Sequence, residues 1–117
     1  MTPVSTDPVA RYADMLAALG AEARLRIVRL LLESHPKGLV AGDIGTELDI
    51  APSTLSHHLD RLKREEVVNL RRNGTFLWYT ANTAAIEELL HFLFAECCTR
   101  NTVVSPATFM PARETQS

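Results

Sequence analysis

Residues 40–64 read VAGDIGTELDIAPSTLSHHLDRLKR, two short helical patterns joined by a tight connection. Val40 to Leu48 fits one helix with Ile44 and Leu48 on a shared face, and Pro52 suits the first turn of the next, where its missing N–H costs nothing. In that second helix Leu55, Leu59 and Leu62 fall at i, i+4 and i+7 and face inward. Ser53, Thr54, Ser56, His57, Arg61 and Arg64 face away. Two short helices with a tight turn, the second polar on its outer face, read as a helix-turn-helix. His58 leans toward the leucine side and reads as structural.

Downstream, the period changes from 3.6 to 2 at Val67. Val68 to Arg72 and Phe76 to Thr80 are strand-like runs joined at Asn73-Gly74, a strong hairpin signal, so a β-ribbon with two arginines beside its tip is expected. A last helix starts near Asn82 or Thr83 and carries Ile86, Leu89, Leu90, Leu93 and Cys97 as its apolar stripe. Upstream, Asp7 caps a helix with Pro8 at its first position, Val9, Tyr12, Leu16 and Leu19 at helical spacing, and Gly20 as its stop. A second helix runs from Glu22 to about Ser34 on Leu25, Ile27, Val28, Leu31 and Leu32, and His35 to Gly38 breaks it. The expected fold is mainly α with a two-stranded β-wing, in the order α-α-α-α-β-β-α. One domain is expected over residues 1–102 and a flexible tail over 103–117, where prolines and small polar residues collect.

The chain has 117 residues, 46% of them hydrophobic, which suits a single core without disulfide staples. No run approaches the about 18 apolar residues of a membrane span, and no basic segment precedes an apolar one at the start, so a cytoplasmic protein without a membrane partner is expected. The formal net charge of -2 argues against a nucleic-acid partner until its distribution is considered: residues 51–75 carry five basic and three acidic side chains. Neither a nucleophile with its base, a phosphate-binding glycine loop nor a zinc-protease helix stands at recognisable spacing, so an enzyme is not expected.

Taken in order, residues 19–31 (LGAEARLRIVRLL), 43–48 (DIGTEL), 53–62 (STLSHHLDRL) and 71–79 (RRNGTFLWY) resemble the ArsR/SmtB family of bacterial winged-helix repressors, over about residues 8 to 98. The resemblance implies a homodimer whose first and last helices pair, with a recognition helix in the major groove of double-stranded operator DNA and a wing on the flanking backbone or minor groove. By position, Ser53, Thr54, Ser56 and His57 would form the DNA face, followed by Arg61, with Arg72 and Asn73 at the wing. Hydroxyls near a helix N-terminus and arginines suit phosphate contacts. Phe92 and Phe94, well round the last helix from Leu90, add apolar surface for a dimer.

Many members of this family sense metals through cysteines at the third helix, where this chain has Val40 and Gly42. Others use His and acidic residues on the last helix, which here offers only His91 with Glu87 and Glu88. The remaining candidate is Cys97-Cys98. Neighbouring Cα atoms lie about 3.8 Å apart, below the usual disulfide range, so a bridge between them is disfavoured. Soft thiols favour thiophilic ions. Two sulfurs match a singly methylated trivalent arsenical, methylarsenite, better than arsenite, which prefers three. On a regular helix adjacent side chains point about 100° apart, so a shared ligand requires the helix end to unwind. The expected function is a repressor released by a trivalent arsenical at Cys97 and Cys98, with no cofactor required. Response to oxidation or to another thiophilic metal, or purely structural cysteines, are the alternatives.

Overall fold

In the computed structural model, which describes residues 7–100, five helices and three strands follow in the order α1 (Pro8–Leu19), α2 (Glu22–Glu33), β1 (Leu39–Val40), α3 (Ala41–Leu48), α4 (Pro52–Arg64), β2 (Val68–Asn73), β3 (Phe76–Ala81) and α5 (Thr83–Phe94). The chain divides after Ala85 into two compact units. The tail expected at residues 103–117 lies outside the described residues.

Local signals set the helix starts. Asp7 Oδ1 accepts a hydrogen bond from the Val9 amide at 3.0 Å, and Asn82 Oδ1 accepts one from the Ala85 amide at 3.2 Å, so each side chain satisfies an amide that lacks an intrahelical partner. Core formation is tighter than the sequence pattern implies. Met15 and Ala18 of α1, Ile27, Val28 and Leu31 of α2, Ile44 of α3, and Leu55, Leu59 and Leu62 of α4 are buried with Val67, Val68 and Ala81. Leu25 and Leu32, expected on the buried stripe of α2, are instead 47% and 40% exposed. They lie seven residues apart on one flank, outside the arc that Ile27, Val28 and Leu31 occupy.

The expected two-stranded wing is part of a three-stranded antiparallel sheet in the order β1-β3-β2. Val40, expected at the start of the third helix, and Leu39 just before it form β1 and pair with Trp78 and Tyr79. Gly38 permits this approach: its φ is +81°, and a Cβ there would lie 2.1 Å from the Tyr79 carbonyl oxygen. The ribbon's register runs from Val68↔Ala81 to Asn73↔Phe76, which places Gly74 and Thr75 at the centre of the turn rather than Asn73 and Gly74. Gly74 takes φ +66° at the first central position, the place where a type II′ hairpin turn wants glycine.

Candidate nucleic-acid interface and cysteine pair

The α3–α4 connection is one bend. Asp49 adopts a left-handed φ of 55°, and the Ile50 amide donates to the Gly45 carbonyl at 3.0 Å, which turns the chain directly into Pro52. Ala51, at the N-cap of α4, has no side-chain oxygen to offer, and Pro52 has no N–H. The amides of Ser53 and Thr54 therefore lack an intrahelical acceptor at the positive end of the helix dipole. The three buried leucines orient the helix and leave Ser53, Thr54, Ser56 and His57 exposed on its far side, with Arg61 half-buried.

His58 occupies the inner flank. Its Nδ1 lies 3.3 Å from Arg24 Nη1, while Arg24 Nε donates to the Ala18 carbonyl at 2.6 Å, so a single guanidinium links the end of α1 to the recognition-type helix. Partial burial, then the Arg24 charge and then His57, hold the His58 pKa below the ordinary histidine value. A neutral imidazole that accepts from Arg24 is the form that fits this contact.

Cations rim the exposed face of α4. Arg61, Lys63 and Arg64 all fall in its last turn, where they complement the helix dipole. The ion pairs among the described residues are Arg11–Glu66 and Arg26–Glu22, so none of these three, nor Arg72, is neutralised by one.

Register separates the two wing candidates. Arg72 pairs with Leu77 and Asn73 with Phe76, and because successive strand residues point to opposite faces, Arg72 and Asn73 project from opposite sides of the ribbon. Both are exposed. Arg71 shares the Asn73 face and is tied back: its Nη2 donates to the Lys37 carbonyl at 3.2 Å, and its guanidinium lies 5.9 Å from the centre of the Trp78 ring. Lys37 Nζ lies 5.5 Å from the same ring. This Lys37–Trp78–Arg71 stack has no signature in the sequence, because Lys37 lies in a segment legible only as a helix break and meets Trp78 through the β1–β3 pairing.

The cysteines lie beyond the last helix. α5 ends at Phe94, so Cys97, expected on its apolar stripe, sits in turns where the Cys97 amide donates to the Phe94 carbonyl at 2.9 Å. Cys98 adopts φ +62°, and this departure from helical bearing brings the two Sγ atoms to 3.2 Å. Both thiols are half-buried. The hydrogen bond to Cys98, then burial, push the Cys97 thiol up from its ordinary pKa, so it is protonated at neutral pH. Among the described residues no group of three or more His, Cys, Asp and Glu side chains is placed to hold a metal ion. None of the described helices is long and apolar enough to cross a membrane.

The family profile described as bacterial regulatory protein, arsR family, matches residues 21–69. The transcriptional activator HlyU of Vibrio cholerae is 32% identical over 90 residues, 74% of this chain and 81% of HlyU. The solved structure of reduced HlyU superposes with a TM-score of 0.58 at 35% identity, over 74% of this chain and 90% of that one. The transcriptional repressor SdpR of Bacillus subtilis is 32% identical over 68% of this chain and 86% of its own. An arsenical resistance operon repressor of Staphylococcus aureus is 32% identical over 69% of this chain and 75% of its own.

Proposed function

The chain belongs to the ArsR family of bacterial regulatory proteins, and from that premise we propose that it is a homodimeric transcriptional repressor that binds operator DNA through α4 and the wing and is released by a trivalent arsenical at Cys97 and Cys98. Exposed hydroxyls and an imidazole on α4, rimmed by cations free of ion pairs, suit contact with phosphates and base edges in a major groove. Exposed apolar side chains on α1 (Val9, Leu16) and on α5 (Leu90, Leu93) support a homodimer. The repressor acts in the cytoplasm on double-stranded DNA and needs no cofactor.

The observation that carries the effector is the 3.2 Å separation of two adjacent thiols. Methylarsenite, CH3As(OH)2, would form two As–S bonds here, and each thiol proton would leave with an arsenic-bound hydroxide as water. Arsenite would keep one hydroxide or recruit a small thiol as its third ligand. Closing a ring through arsenic changes the backbone after Phe94, and the arsenical shifts the protein off DNA only if it binds the DNA-free state more tightly. The same proximity favours a second reading, in which oxidation of the pair is the signal.

Both readings meet in one experiment. A duplex recovered by in vitro selection from a random pool is bound by the protein, and arsenite, methylarsenite, antimonite, zinc and peroxide are titrated in parallel. Methylarsenite is expected to release the wild type, whereas Cys97→Ser and Cys98→Ser should bind DNA normally and resist release. Release of the double variant at the same methylarsenite concentration would put the effector site elsewhere. Release by peroxide but not by arsenicals would establish the oxidation reading.

A further inference from the structure

At 61% exposure, Phe76 is the barest large apolar side chain among the described residues, and it stands at the tip of the ribbon. It closes the hairpin opposite Asn73, one residue beyond the Gly74-Thr75 turn. Period two puts it on the same face as Arg71 and Trp78. Lower on that face the Trp78 ring is flanked by Lys37 and Arg71, whereas Phe76 lies two residues nearer the turn than Trp78.

Charge and stiffness narrow down what meets this ring. Residues 67–81 contain no acidic side chain, and the basic groups about the ribbon are Arg71, Arg72 and Lys37. The surface surrounding the ring therefore suits a polyanion. Six cross-strand pairs and the β1 contact hold the ribbon, so presenting the ring requires little further ordering. A second copy of the chain is a poor occupant: Phe76 with Leu77 makes a tip far smaller than the about 800 Å² per partner of a stable protein interface.

We propose that Phe76 is an apolar wedge that enters the minor groove beside the site read by α4, inserts its ring between two base pairs and partly unstacks them. This rests on the DNA-binding reading above and adds a specificity-determining residue to it. Arg72, on the opposite face of the ribbon, and the Lys37–Arg71 pair hold the flanking phosphates while the ring enters. Pyrimidine–purine steps unstack most easily, so the wedge selects a TA or CA step at the flank without a hydrogen bond to either base.

The test uses the full chain and duplexes selected from a random pool by the wild type and, separately, by Phe76→Ala. Binding to the wild-type duplex is measured across salt concentrations, with 2-aminopurine at the flanking step reporting unstacking. Phe76→Ala should bind roughly tenfold or more weakly, as expected for loss of one stacked base, and should lose the 2-aminopurine rise. Its salt slope should match the wild type, because no charge has been removed, and its selected pool should lack the flanking TA or CA step. Phe76→Trp should restore both affinity and fluorescence, which separates a lost wedge from a damaged fold. Wild-type affinity and an unchanged 2-aminopurine rise in Phe76→Ala would overturn the wedge while leaving the DNA-binding reading intact. A change in the solution mass of DNA-free Phe76→Ala would make the tip a protein contact and equally overturn it. Failure of the wild type to enrich any duplex would overturn the DNA-binding reading, and the wedge with it.

Discussion

His58 and Arg72 place two kinds of chemistry on neighbouring elements, α4 and β2. With its pKa held down by burial, Arg24 and His57, His58 takes up a proton more readily in the unfolded chain than in the folded one. The sign follows: stability is full above the ordinary histidine value of about 6.5, falls as pH drops through it, and levels off once the folded form is also protonated. Thermal unfolding followed between about pH 7.5 and 5.5 should show a smaller loss in His58→Gln than in the wild type, and an identical profile would remove His58 as the cause. On the proposed reading, Arg72 contributes to DNA binding through its charge. Arg72→Ala should weaken binding to every duplex and reduce the magnitude of the salt slope by about 1, whereas His57→Ala should change which duplexes are preferred. Unchanged affinity in both variants would move the interface away from α4 and the wing.

At the scale of elements, two glycines four residues apart carry opposite demands. Gly38 sets up the β1–β3 pairing from a left-handed φ, and a methyl group there would collide with the Tyr79 carbonyl and the Thr80 side chain. Gly38→Ala should therefore cost well over 1 kcal/mol and disturb the Lys37–Trp78–Arg71 stack, detectable as altered Trp78 fluorescence. Gly42, inside α3, has nothing within 4 Å of an added Cβ. Gly42→Ala should raise stability by about 0.5–1 kcal/mol, the usual gain from replacing glycine in a helix. Equal and opposite shifts in denaturant midpoint are not required; a stabilised Gly38→Ala would contradict the pairing.

The whole molecule adds the question of assembly. Leu93 is 51% exposed on α5, and Leu16 is 43% exposed on α1, more apolar surface than a monomer gains from showing. A solution mass of two chains is expected with or without methylarsenite. Leu93→Glu should shift it toward one chain and weaken binding to a two-half-site duplex, because each half-site then binds alone. A wild-type monomer at micromolar concentration would defeat the two-half-site arrangement.

Spacing and local chemistry by themselves determined the helix-turn-helix, the ribbon, and the polar face of α4. Leu55, Leu59 and Leu62 recur at a period that only a helix can bury on one side, and Asp7, Pro52 and Gly74 mark boundaries through backbone preferences that act within a few residues. The exposed ring of Phe76 at the ribbon tip, the separation of Arg72 from Asn73, and the stacking of Lys37 on Trp78 depended on register and pairing, which bring together residues far apart in sequence. The two-residue strand β1 exists only because β3 offers it hydrogen bonds, so periodicity could not reveal it. Cys97 and Cys98 follow the same division: their types and adjacency are plain in the sequence, but a left-handed φ at Cys98, beyond the end of α5, is what brings the sulfurs to 3.2 Å.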